Sequence, residues 1–149
     1  MRTITLLTCF KLFGAATLAA QSVVGVQALA FGALLAGVPS SVAPTDPANS
    51  GRFDLTGKNK EAISITFTLP SVMTGPGGAT MPLSFSGATA GFSPTQSTTD
   101  ERLFDPSKTQ PETLGKKVGS VFLGGAVMPA TGQRAGTYSA TVTLLVVFM

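Results

Sequence analysis

The residues with the most chemical capacity in this chain are three carboxylates set close together, Asp100, Glu101 and Asp105. Grouped carboxylates offer two chemistries. They can ligate calcium through oxygen, or act as a general acid and its partner in glycoside hydrolysis. Their spacing does not match a helix–loop–helix calcium loop, and Arg102 stands among them. A solvated loop face is the simpler reading. A hydrolytic pair would require combining distant residues, and no motif does so. The chain has no histidine, which excludes nucleophiles activated by a histidine base and histidine metal sites. Cys9 is the only cysteine, so neither an intrachain disulfide nor a thiolate zinc site can form. It reads as a small buried apolar residue. The glycine-rich "TGPGGAT" (Thr74–Thr80) follows a strand pattern but opens no helix. It is a turn, not a phosphate cradle. The chain is therefore not read as an enzyme: no catalytic residue, cofactor or metal ligand is expected.

Composition points the same way. Of 149 residues, 44% are apolar and only 11% are charged, against roughly 25% charged in an ordinary soluble domain. Serine, threonine, glycine and glutamine must cover most of the surface, which suits extracellular β-proteins and assembled filaments. The length fits one domain. The net charge is +3, with Arg2 and Lys11 in the N-terminal stretch. No basic cluster interleaved with aromatics accompanies it, so no nucleic-acid partner is expected.

The elements that would position any site read as strands. "AISITFTLP" (Ala62–Pro70) alternates most clearly, with Ile63, Ile65, Phe67 and Leu69 on one face and Ser64, Thr66 and Thr68 on the other. "RFDLTG" puts Phe53 and Leu55 on one face, and "MPLSFSG" does the same for Met81, Leu83 and Phe85. "SVVGVQALAFG" reads as a strand with Val24, Val26, Ala28 and Ala30 together. Val118–Val127 reads as one strand punctuated by glycine. "TYSATVTLLVVF" (Thr137–Phe148) reads as the last strand, with Tyr138, Ala140, Val142, Leu144 and Val146 on one face. Pro39–Ser50 reads as a loop, and so does Thr95–Lys117, which holds 8 of the 17 charged residues. Short strands, 17 glycines and 10 prolines predict an all-β antiparallel sandwich.

Three stretches together resemble a known family: "LAFGALLAG" (Leu29–Gly37), "RFDLTGKNKEAISITFTLP" (Arg52–Pro70) and "LGGAVMPATGQRAGTYSATVTLLV" (Leu123–Val146). They are similar to the bacterial domain family DUF4402, and "AGTYSATVTLLV" is the most specific part. That family is similar in turn to spore-coat-U-like subunits and to fimbrial subunits of the chaperone–usher type. The resemblance implies an immunoglobulin-like, pilin-like sandwich that lacks one strand. The N-terminal extension of the next copy would complete it as a donor strand. It further implies a homo-polymer at the bacterial cell surface, exported with a periplasmic chaperone and an outer-membrane usher. Phe67, Phe85, Tyr138 and Val142 are candidate residues of the groove or of the core beside it.

The opening stretch "TITLLTCFKLF" (Thr3–Phe13) then has a reading. Ile4, Leu6, Phe10 and Leu12 share one face with Thr8, while Thr3, Thr5, Cys9 and Lys11 occupy the other, with Leu7 the exception. Apolar teeth at every second residue with a polar back are what a donor strand needs. The same stretch has the basic start and apolar middle of a secretion signal, with small residues near Ala20. Lys11 interrupts that pattern. Leu12–Val38 is long enough to span a bilayer, but Gln21, Ser22 and Gln27 break it and Ala and Gly dilute it. Membrane anchoring is not expected.

The expected organisation is an N-terminal extension over residues 1–20, as donor strand or signal, and a β-sandwich over residues 21–149. The expected function is a structural subunit of a secreted bacterial surface filament, built head-to-tail by donor-strand complementation. The alternative is a secreted monomeric adhesive module whose first twenty residues are removed and whose Thr95–Lys117 loop makes the contacts. Intact mass and N-terminal sequencing of the surface-exposed protein separate the two. A chain that keeps Thr3–Phe13 is the outcome for a donor strand; one that starts near Gln21 makes the stretch a discarded signal.

Overall fold

The computed structural model describes residues 20–149. Twelve strands form three antiparallel sheets packed as an immunoglobulin-like sandwich, with no α-helix among the described residues. The largest sheet has the order β1 (Ser22–Gln27), β3 (Gly51–Thr56), β10 (Val118–Leu123), β7 (Ala90–Ser93) and β8 (Arg102–Phe104). Facing it are β12 (Thr143–Phe148), β4 (Ala62–Thr68) and β9 (Gln110–Thr113), in that order. A smaller sheet of β2 (Ser40–Val42), β11 (Gly125–Val127), β6 (Thr80–Ser84) and β5 (Val72–Thr74) covers one end.

The main core follows from strand alternation. Ile63, Ile65 and Phe67 of β4 are buried, as their period of two requires. They meet Leu55, Phe92, Val121 and Leu123 of the larger sheet. Phe67 is the hub: its ring meets Phe53 edge-on at 6.3 Å and stacks on Phe104 at 6.5 Å. A second, smaller cluster of Met81, Leu83 and Val127 lies under the end sheet, and Phe85 packs against both clusters.

Several expectations are corrected. The last strand begins at Thr143, not Thr137. Before it, Ser139 makes a single bridge to Thr74, with N–H···O bonds of 2.8 and 3.0 Å in the two directions. Tyr138 packs on the second cluster, so one register cannot run through both. The expected strand Val118–Val127 is two strands, because Gly124 lets the chain pass from one sheet to another. A Cβ there would run into the carbonyl oxygen of Val42. Thr95–Lys117 is not a plain loop: it contains β8 and β9 and buries Phe104, Pro106 and Leu114. Isolated apolar residues among charges conceal a strand from pattern reading. Pro39–Ser50 likewise contains β2. In β1, Val24 and Val26 are on the outer, exposed side. The register instead sets Val23 opposite Leu55 and Gly25 opposite Phe53.

The two main sheets are tied along one side. Arg102 on β8 donates to Glu112 on β9 at 2.5 Å across the sandwich. Phe104 and Leu114 are buried nearby in the chain. Replacing the fully buried Ile65 by alanine is expected to cost about 2–5 kcal/mol, measured as the loss of unfolding free energy in urea.

Candidate functional site

The other side of the sandwich, between β1 and β12, is built differently. Among the described residues β1 pairs only with β3, and β12 pairs only with β4. Each strand therefore has one free backbone edge beside the gap between the sheets, as β8 and β9 do on the opposite side, and what sets this side apart is the coverage of its side chains. The inward side chains here are incompletely covered. Leu144, Val146 and Phe148 lie opposite Phe67, Ile65 and Ile63 in register. Those β4 partners are buried, whereas the three β12 residues are only half-buried. Val23 faces inward yet is 38% exposed. Gly25 carries no side chain over Phe53; a Cβ there would meet the ring only at 3.7 Å.

A groove of about 480 Å³ lies at one end of this seam. Gly25–Leu29 form one wall, Ala140–Val142 the other, and Gly51, Phe53 and Leu123 the floor. Half-covered apolar side chains beside unpaired backbone edges make a surface that accepts an added strand.

The structure distributes the four candidate groove residues differently. Val142 lines the seam. Phe67 lies beneath it in the core, 9% exposed. Phe85 sits between the two core clusters, past the end of β6. Tyr138 is not in the seam. It packs on Met81, Leu83 and Val127, donates its hydroxyl hydrogen to the Arg134 carbonyl at 2.7 Å, and accepts from Gln133 Nε2 at 2.6 Å. Ile4, Leu6, Phe10 and Leu12 lie outside the described residues. The seam residues not singled out from sequence are Val23, Gly25, Phe53, Leu144, Val146 and Phe148. Phe53, Leu144 and Val146 were legible as inward-facing, but only the order of the strands shows which of them border a gap.

The three carboxylates do not converge on a metal site: among the described residues no group of three or more His, Cys, Asp or Glu could hold an ion. Hydrogen bonds from the Ser93 and Thr95 hydroxyls hold Asp100 below the usual carboxylate range. The Ser107 hydroxyl and backbone N–H do the same for Asp105. Glu101 is opposite in character. Its side chain lies over Gly91, where a Cβ would collide with it, and neither carboxylate oxygen has a partner. Burial, helped by the neighbouring Asp100 charge, pushes its pKa up to about 7.

No protein-family model, curated protein or solved structure matches the chain. Among the described residues, no helix is long and apolar enough to cross a membrane.

Glu101 makes stability depend on pH in a definite direction. The folded state holds a proton that the unfolded chain releases near its ordinary value of 4.5. Stability therefore falls as pH rises from about 4.5 through about 7. Glu101→Gln is expected to remove this slope and to exceed the parent in stability at pH 8. Urea unfolding of both proteins at pH 5 and pH 8 measures it.

Proposed function

We propose that this chain is a structural subunit of a secreted bacterial surface filament, in which an extended segment of one copy fills the seam of the next. The observation that carries this reading is the half-covered inward residues Leu144, Val146 and Phe148, which lie beside the edges of β1 and β12 left unpaired among the described residues. While no family model matches the chain, the motif resemblance of Leu29–Gly37, Arg52–Pro70 and Leu123–Val146 to DUF4402 suggests the same reading. So does the alternation of Thr3–Phe13. In this reading Ile4, Leu6, Phe10 and Leu12 are the teeth of the donor strand.

The magnitudes say what the contact needs. Fully burying one large aliphatic or aromatic side chain contributes about 1.5–3 kcal/mol. Association costs roughly 4–15 kcal/mol in lost freedom. Four teeth alone do not reliably exceed that cost, so the ladder of backbone hydrogen bonds to a free edge has to contribute. Such contacts are head-to-tail and do not close, so they propagate into a fibre. A periplasmic chaperone that covers the seam before assembly, and an outer-membrane usher, are the partners this mode of export would use.

Two variants test donor and acceptor separately. Deleting residues 1–14 should leave a folded domain that no longer forms SDS-resistant ladders. Val142→Arg should block the seam while keeping the donor. Neither should polymerise alone, and mixing them should give a capped heterodimer. Ladders from the truncated chain alone would refute the proposal. Loss of folding on truncation would show instead that residues 1–14 fill the seam of their own copy.

A further inference from the structure

A second cavity, of about 610 Å³, lies over the smaller core cluster and away from the seam floor. Its walls are the segments Phe31–Ala36 and Gln133–Tyr138, and Met73, Met81 and Pro129 complete it. That volume is in the range of small-molecule sites, about 300–1,000 Å³.

The polar groups of one wall are already engaged with each other. Gln133 Oε1 accepts from the Ala130 N–H at 3.2 Å, and its Nε2 donates to the Thr80 carbonyl at 3.2 Å and to the Tyr138 hydroxyl. The Tyr138 hydroxyl in turn donates to the Arg134 carbonyl. Two side-chain polar groups of this wall are left over among the described residues, the exposed Thr137 hydroxyl and the exposed Arg134 guanidinium, and only the second is charged. The Arg134 guanidinium makes no ion pair and no hydrogen bond among the described residues, and no acidic side chain lines the cavity.

The turn Gly75–Gly78 explains how that guanidinium is held. A Cβ at Gly75 would overlap the Tyr138 ring, and one at Gly77 would overlap the Arg134 guanidinium. Gly77 also has φ of 63°, in the left-handed region. From the other side, a Cβ at Gly136 would strike Pro76. The "GPGG" stretch is therefore a bare surface against which the Tyr138 ring and the exposed Arg134 guanidinium lie, at the edge of a cavity that joins apolar and polar walls.

We propose that this cavity binds a small molecule with an aryl or alkyl body and a single carboxylate. The body would lie against Phe31, Leu34, Met73 and Met81, and the carboxylate would pair with Arg134. Methionine and leucine walls adapt to varied apolar shapes. A guanidinium presents a fork of donors matched to a carboxylate. One free cation with no acid beside it favours a monoanion over a neutral molecule, a cation or a multiply charged ligand. This inference is independent of the strand-exchange reading.

The test is equilibrium dialysis of the full chain, polymerised or not, against 4-phenylbutyrate, its alcohol 4-phenylbutanol and its amine 4-phenylbutylamine. The acid should bind saturably at one site per chain, with the alcohol and amine at least about tenfold weaker. Arg134→Gln should reduce acid binding to the level of the alcohol. Gly77→Ala, which keeps the charge but pushes the guanidinium aside, should act in the same direction. Val142→Arg, in the seam, should change nothing. Circular dichroism confirms that each variant is folded. Equal binding of the three probes, no saturable binding, an acid preference that survives Arg134→Gln, or loss of binding in Val142→Arg would each overturn the proposal.

Discussion

Two facing sheets have two long sides, and each side needs a means of covering the core and pairing the backbone. In this chain each side carries a side-chain link between the sheets, Arg102 to Glu112 beside β8 and β9 and Gln21 to Glu61 beside β1 and β12. The contrast is one of coverage. Phe104 and Leu114 are buried on the first side, while Val23, Leu144, Val146 and Phe148 are only partly covered on the second. The Arg102–Glu112 pair is half open to solvent, and such pairs contribute about 0–1 kcal/mol. Apolar burial therefore holds the first side, and the ion pair orients it. On the second side the described residues show one cross-sheet hydrogen bond, from Gln21 Nε2 to Glu61 Oε1 at 2.5 Å, and the apolar residues beside it stay partly covered.

The end sheet depends on a different constraint. One strand direction cannot serve both the main core and the end cluster, and the chain solves this at Gly124, where β10 becomes β11 and no side chain fits beside Val42. That switch creates the second cluster of Met81, Leu83 and Val127. It also explains why Tyr138 lies away from Val142 although both belong to one apparent alternation. The chain leaves the end cluster at Ser139, bound to Thr74, before it pairs with β4. The seam and the second cavity lie on successive parts of the same two chain segments, with separate floors.

The polar residues follow a consistent division. Asp100 is satisfied by the hydroxyls of Ser93, at the end of β7, and Thr95, and Asp105 by the hydroxyl and backbone N–H of Ser107 in its own turn. Local hydrogen bonds of this kind shape loops. Glu101 is the exception, because its two carboxylate oxygens are buried without a partner, which holds its proton more tightly than in an ordinary carboxylate. Three carboxylates close in sequence therefore fall into two kinds, set by which partners the fold brings to each.

Local pattern alone determined the all-β class, the inward faces of β3, β4 and the start of β6, and the lack of any histidine-based chemistry. These depend on side-chain type and a period of two, which adjacent residues carry by themselves. It also read Thr74–Thr80 as a turn, and the structure reverses the chain there through a single 3-10 turn at Pro76–Gly78 between β5 and β6. Only the tertiary structure decided what borders the gap. Phe53, Leu144 and the buried Phe67 look alike as alternating apolar residues, and their exposure depends on whether a further strand lies beside them. Strand order is a long-range property, fixed by pairings such as β3 with β10 that join residues far apart in the chain. The role of the glycine turn was hidden for the same reason, since the Tyr138 ring and the Arg134 guanidinium that rest on it come from a distant segment.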